Sequence, residues 1–221
     1  KVTALVGVSG SGKSTAASLI CRFWDITEGQ IGLGGVPLNQ IPLSDLMSQI
    51  SFVTQNTFLF KKSIRDNIMM GNPEATEEEM MQAAKDAVCH DFIMRLPKGY
   101  DTVIDKETKL SGGEKQRITL ARAILKNAPI VILDEATAYI DADNEDLLQK
   151  ALAKLSEEKT VLVIAHRLSS IKEADSIVVL EQGKVIDCGT HDELINRCSP
   201  YQDMWAAFEQ SDQWKMGGVN A

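Results

Sequence analysis

The chain has 221 residues with 44 % hydrophobic and 24 % charged side chains, and 23 Lys plus Arg against 31 Asp plus Glu give a net charge of −8. Such a length supports one large domain or a core with one appended subdomain, and such a composition excludes collagen-like, low-complexity and wholly disordered chains. The acidic balance leaves no global basic field for a nucleic-acid backbone or an anionic membrane, and no apolar run reaches the roughly 18 residues that cross a bilayer.

The chain opens at Lys1 directly as an apolar strand, Val2 to Val8, without a methionine or a preceding turn, and is therefore expected to be a piece of a longer protein. Helical spacing follows from Lys13 to Trp24, with Ala16, Leu19, Ile20 and Phe23 on one face. Short strands at Gln30 to Gly35 and Ile50 to Val53, bounded by Gly34-Gly35 and Pro37, predict a small antiparallel sheet beside the main one. Ser63 to about Leu96 turns helical, with a capping box at Thr76-Glu77-Glu78-Glu79.

Then come a helix at Ser111 to Lys126, a buried strand at Ile130 to Leu133, a helix at Asn144 to Leu155, and strands at Thr160 to Ala165, Ser176 to Leu180 and Lys184 to Asp187. Helices alternating with short, continuously apolar strands imply an α/β fold with a mostly parallel sheet covered on both faces. Thr190-His191-Asp192-Glu193 caps a further helix, and the polar tail from Ser211 to Ala221 is expected to fray. Cys21, Cys89, Cys188 and Cys198 lack CxxC spacing and read as reduced, small apolar residues. His90 and His191 have no ligand partners at metal spacing and read as solvated or capping residues.

Gly7-Val8-Ser9-Gly10-Ser11-Gly12-Lys13-Ser14 fits GxxxxGK[ST] immediately after a strand and at the opening of a helix. Small residues let the backbone curl so that successive N–H groups and the positive helix end face phosphate. Lys13 would add charge near the β and γ phosphates, and the Ser14 hydroxyl is a candidate Mg²⁺ ligand. The full set of candidate contacts is Gly7, Ser9, Gly10, Ser11, Gly12, Lys13, Ser14 and Thr15.

Downstream, Ile130-Val131-Ile132-Leu133-Asp134-Glu135 is a buried strand ending in two carboxylates. Adjacent strand residues point to opposite sides, so one carboxylate can hold a metal through water while the other orients or deprotonates an attacking water. Alone, such a pair is equally a helix cap; beside a phosphate loop it reads as chemistry. Leu110-Ser111-Gly112-Gly113-Glu114-Lys115-Gln116 opens another helix and offers a second anion site, while Ser111 and Glu114 also fit a capping box.

Taken together, the phosphate loop, Ser111-Gly112-Gly113-Glu114-Lys115-Gln116 and Leu133-Asp134-Glu135 resemble the nucleotide-binding domain of an ATP-binding cassette (ABC) transporter over essentially the whole chain. The resemblance implies a P-loop NTPase core with a small antiparallel β subdomain and an α-helical signature subdomain, divided as 1–60 and 127–210 for the core, 61–126 for the helices and 211–221 for a disordered tail. It implies ATP and Mg²⁺, with Glu135 as the base and Ser14, Gln55 and Asp134 at the metal. His166 matches the switch histidine, and Gln55 matches the glutamine that senses metal and water. It also implies a head-to-tail dimer in which Ser111, Gly112, Gly113 and Asp141 reach the partner's ATP.

Two stretches depart from the family pattern: Ala138-Tyr139-Ile140-Asp141, where Ser-Ala-Leu-Asp is usual, and Asp105-Lys106-Glu107-Thr108-Lys109 before the signature. Phe58-Leu59-Phe60, Ser63-Ile64-Arg65-Asp66-Asn67-Ile68 and Ile186 to Leu194 resemble exporter-type members, so some of Phe58 to Phe60 are expected to line a groove for a transmembrane-domain coupling helix. That places the chain on the cytoplasmic face of a membrane as part of a transporter. The family's base-stacking aromatic lies upstream of the 221 residues, so weak and poorly base-selective ATP binding is expected, a stacking contact being worth roughly 1 to 3 kcal/mol. The rival is an ABC ATPase acting on nucleic acid, against which stand the compact 61–126 span and the net charge of −8. A GTPase or small-molecule kinase is disfavoured because no Asn-Lys-x-Asp motif is present.

Overall fold

Chain contacts divide the protein into two units, residues 1–41 with 160–221, and residues 42–159. The structure, a computed structural model, describes residues 1–54, 57–105, 108–134, 142–164 and 171–217, with side chains described outside 142–145 and 210–217.

In the first unit, β1 (Val2–Val6) lies between two parallel neighbours, β6 (Thr160–Ile164) and β7 (Ser176–Glu181). Both edges of β1 are thus paired, and the successive residues Ala4, Leu5 and Val6 are all buried, as in a parallel strand covered on both faces. β8 (Lys184–Gly189) returns antiparallel to β7 through Gln182 and Gly183, whose φ values of 49° and 78° give the tight hairpin its twist. The hairpin β2 (Gly32–Leu33) and β3 (Val36–Pro37) forms the small antiparallel sheet.

α1 (Lys13–Ile20) is shorter than its apolar spacing suggested, because Arg22 takes φ 54° and its guanidinium bonds the carbonyls of Leu38 and Ile41. α8 (His191–Arg197) begins at the Thr190–Glu193 capping box. α9 (Ser199–Gly217) continues through the expected frayed tail as far as Gly217. Tyr201, Met204, Trp205 and Phe208 of α9 share one face, which packs on Ala4, Val6, Ile177, Val179 and Leu194, and this burial anchors the helix.

Both histidine readings need correction. His191 is buried, with its Nδ1 2.9 Å from the Tyr201 hydroxyl and its ring 4.3 Å from that of Trp205; the capping is done by Thr190. His90 is half-buried, 2.8 Å from the Tyr100 hydroxyl. In each pair a tyrosine ten residues downstream satisfies the imidazole, a tertiary contact that local pattern does not announce.

The second unit carries α2 (Leu43–Gln49), β4 (Ile50–Thr54), α3 (Ile64–Met69), α4 (Glu77–Asp86), α5 (His90–Met94), α6 (Gly112–Lys126), β5 (Ile130–Asp134) and α7 (Ala142–Ser156). β4 was expected in the small sheet; it pairs parallel with β5, residue for residue from Ile50↔Ile130 to Thr54↔Asp134. Ile50 and Val53 are buried, as expected of a parallel strand covered on both faces. α3, α4 and α6 each begin at a complete capping box, Ser63–Asp66, Thr76–Glu79 and Ser111–Glu114, which satisfies N–H groups that a helix cannot pair itself. Their apolar faces meet in a core that includes Ile64, Ile68, Met80, Ile118 and Leu120.

Candidate functional site

The loop between β1 and α1 is shaped by three glycines. Gly7 passes so close to the Leu180 carbonyl and the Ser11 hydroxyl that a Cβ would overlap both. Gly10 and Gly12 take φ values of 80° and 103°, which L side chains rarely adopt, and Gly12 sits at the N-cap of α1. The turn is held from inside by the Ser11 N–H to the Val8 carbonyl at 3.1 Å and from outside by the Gly183 N–H to the Ser11 carbonyl at 2.9 Å.

Lys13, the first residue of α1, is only 6 % exposed. Its ammonium donates to the Gly7 carbonyl at 2.8 Å, to the Val8 carbonyl at 3.1 Å and to Ser11 Oγ at 3.4 Å. A buried cation needs such acceptors, and here the loop itself supplies them. Ser9, Gly10, Ser14 and Thr15 stand exposed, while Ser11 is buried with Lys13. The result is a rim of backbone and hydroxyl groups around a fixed positive charge at a helix start, an arrangement suited to a polyphosphate.

In the other unit, Asp134 closes β5 and lies in register with Thr54 at the end of β4. Ser111 is the exposed N-cap of α6: its Oγ accepts the Glu114 N–H at 3.2 Å, and its own N–H is taken by Glu114 at 2.8 Å. Gly112 beside it is exposed, with open space where a Cβ would stand. The capping role is thus present, and the hydroxyl hydrogen of Ser111 is not used by it. Gln55, Glu135, Asp141 and His166 lie outside the described residues, as do Lys106, Glu107 and 138–140.

The family described as ABC transporter matches residues 1–138, well over half of the chain. The chain belongs to the ABC transporter family. This ABC domain is 50 % identical over 92 % of its length to the mycobactin import ATP-binding/permease protein IrtA of Mycolicibacterium smegmatis, of which it covers 24 %. It is 48 % identical over 93 % of its length to YgaD of Bacillus subtilis, an ATP-binding/permease protein named for multidrug export, of which it covers 36 %. Among solved structures, a bacterial Atm1-family ABC exporter with ATP bound matches 93 % of the chain at 42 % identity with a TM-score of 0.85, the chain covering 36 % of it. The ABC domain therefore spans about a quarter to a third of the relatives it matches. It corresponds to the ATPase domain of exporter-type ATP-binding/permease proteins such as YgaD and the Atm1-family exporter, and a nucleic-acid role is not favoured. Among the described residues no helix is long and apolar enough to cross a membrane.

Sequence reasoning passed over several buried polar groups of the ABC domain. Arg117, 5 % exposed, stacks its guanidinium 5.4 Å above the Phe92 ring, and burial lowers its pKa. Asn67 is fully buried on the same face of α3 as Ile64 and Ile68, and Arg122 of α6 reaches it. The signal was an asparagine in an apolar i, i+3, i+4 stripe.

Proposed function

We propose that this chain is the ATP-hydrolysing motor of an exporter-type ABC transporter, closing head-to-tail on a second nucleotide-binding domain and driving a transmembrane domain from the cytoplasmic face of a membrane. The observation that carries the reading is Lys13, buried at the start of α1 and bonded to the Gly7 and Val8 carbonyls, in a chain whose family match includes that loop. Gly7, Ser9, Gly10, Ser11, Gly12, Lys13, Ser14 and Thr15 bind the ATP phosphates in this reading.

The Ser14 hydroxyl, the Asp134 carboxylate and the Gln55 amide oxygen are hard oxygen donors of the kind Mg²⁺ takes, so the donor set fits that ion. Bound Mg²⁺ would neutralise charge on the β and γ phosphate oxygens. Glu135 polarises the attacking water as a general base, and His166 contacts the γ-phosphate and holds Glu135 and the water in place. Ser111, Gly112, Gly113 and Asp141 complete the partner's site. Phe58, 65 % exposed, and Phe60, 42 % exposed, supply the apolar surface on which a coupling helix docks.

The test is Mg-dependent ATP hydrolysis by the purified chain, with specific rate rising with protein concentration as copies meet. Lys13→Ala should cut turnover by about 100-fold or more while the circular dichroism spectrum is retained. Unchanged hydrolysis in Lys13→Ala, or a rate indifferent to EDTA, would sink the reading.

A further inference from the structure

The loop that carries Phe58 and Phe60 is tied to the signature helix by a cluster the catalytic reading does not use. Asn67, on α3, is 0 % exposed. Its Nδ2 donates to the Phe60 carbonyl at 3.0 Å and to the Ser63 carbonyl at 2.9 Å, and its Oδ1 accepts the Phe60 N–H at 2.9 Å. One side chain thus takes both backbone groups of Phe60, as a pairing strand would.

Arg122, on α6, closes the other side. Its Nε donates to the Asn67 carbonyl at 2.7 Å, one terminal nitrogen to Asn67 Oδ1 at 2.9 Å, and the other to the Phe58 carbonyl at 3.3 Å. Its guanidinium also lies 5.8 Å from the centroid of the Phe60 ring, which in turn meets the Phe58 ring edge-on at 4.8 Å. Gly71, just beyond α3, passes so near the Arg122 carbonyl that a Cβ would overlap it. The approach of α3 to α6 is therefore fixed by backbone contact as well as by the guanidinium.

We propose that Asn67 and Arg122 are positioning residues that make the Phe58–Phe60 loop and helix α6 move as one rigid body, so that a displacement imposed on the two rings is delivered to Ser111 at the other end of the helix. α6 is continuous from Gly112 to Lys126 and is buried along Gln116, Arg117, Ile118, Leu120 and Ala121, so it transmits a push rather than bending. Arg122 stands about 16 Å along the helix axis from Ser111, at 1.5 Å of rise per residue. The planar fork of arginine matters: it reaches three acceptors at fixed angles, which a lysine ammonium on a flexible stem does not reproduce.

The consequence rests on the reading of Phe58 and Phe60 as a docking surface, but the joint itself is tested without any partner. In the full chain carrying Cys188→Ser, which removes the exposed thiol while Cys21, Cys89 and Cys198 stay buried, spin labels are placed through Phe58→Cys and Gly112→Cys. Pulsed electron paramagnetic resonance then reads the distance distribution between the two labels. A single narrow distribution is expected, which Arg122→Lys and Asn67→Ala each broaden by about twofold or more while the urea midpoint of Arg122→Lys stays near that of the parent. An unchanged width in Arg122→Lys overturns the proposal even if Asn67→Ala fails to fold, and so does a broad distribution before either change. Failure of Phe58→Ala and Phe60→Ala to weaken coupling to a transmembrane domain would instead overturn the docking reading and leave the joint standing.

Discussion

Thr54 and Asp134 are register partners at the parallel ends of β4 and β5, and they are the last described residues before Gln55 and Glu135. Two strands whose last residues are 80 positions apart in the chain thus finish side by side, at the end where parallel α/β sheets gather their chemistry. Glu135→Gln keeps the shape of the side chain and removes the carboxylate proposed as the base. Turnover should fall by about 100- to 10,000-fold while ATP binding persists, and Mg-ATP should shift the variant toward dimer on gel filtration. Hydrolysis at the parent rate would move the base elsewhere.

Ser111 caps α6 and is proposed to meet the partner's phosphate, and one pair of substitutions separates the two roles. Its Oγ caps α6 by accepting the Glu114 N–H, and aspartate caps as well as serine, whereas alanine does not. Ser111→Ala should cost about 1 kcal/mol of stability, or roughly 2 to 4 °C in Tm, and retain part of the turnover. Ser111→Asp should keep Tm and lose turnover through repulsion of a phosphate carried by the partner, leaving nucleotide binding by the monomer almost unchanged. Equal loss of monomer binding would place Ser111 in its own subunit's pocket.

Gly71 has no room for a methyl group, because a Cβ there would overlap the Arg122 carbonyl. Gly71→Ala must push α3 from α6, at a cost of about 1 to 3 kcal/mol, read as a lower urea midpoint with an unchanged slope. A neutral result would show that the approach of the two helices is loose.

Alkaline pH should destabilise the fold. Burial pushes the Cys89 thiol from 9.0 up to about 12 and the Tyr201 hydroxyl from 10.0 up to about 12, and it raises Tyr100 as well. Each group keeps its proton in the folded chain at a pH where the unfolded chain has released it. Their contribution is therefore fully present below about pH 9 and is lost as pH rises toward 12. Urea midpoints measured between pH 8 and 12 should fall, and Cys89→Ala should flatten the first part of that fall. A curve parallel to the parent's would remove the thiol from the account.

The sequence by itself determined what depends on neighbours along the chain. The phosphate loop needs glycines at fixed offsets from Lys13, and each capping box closes within four residues, so Ser63, Thr76, Ser111 and Thr190 announce their helices directly. Continuous apolar runs marked β1 and β5 as strands covered on both faces. Tertiary structure alone decided which strand pairs with which, and so moved β4 from the small sheet to the side of β5: an apolar run of five residues carries no label for its partner. It also decided the fate of single polar residues. His191 meets Tyr201, and Asn67 meets Arg122 across 55 positions, because a buried hydrogen-bonding group must find a partner wherever the packed chain brings one within reach.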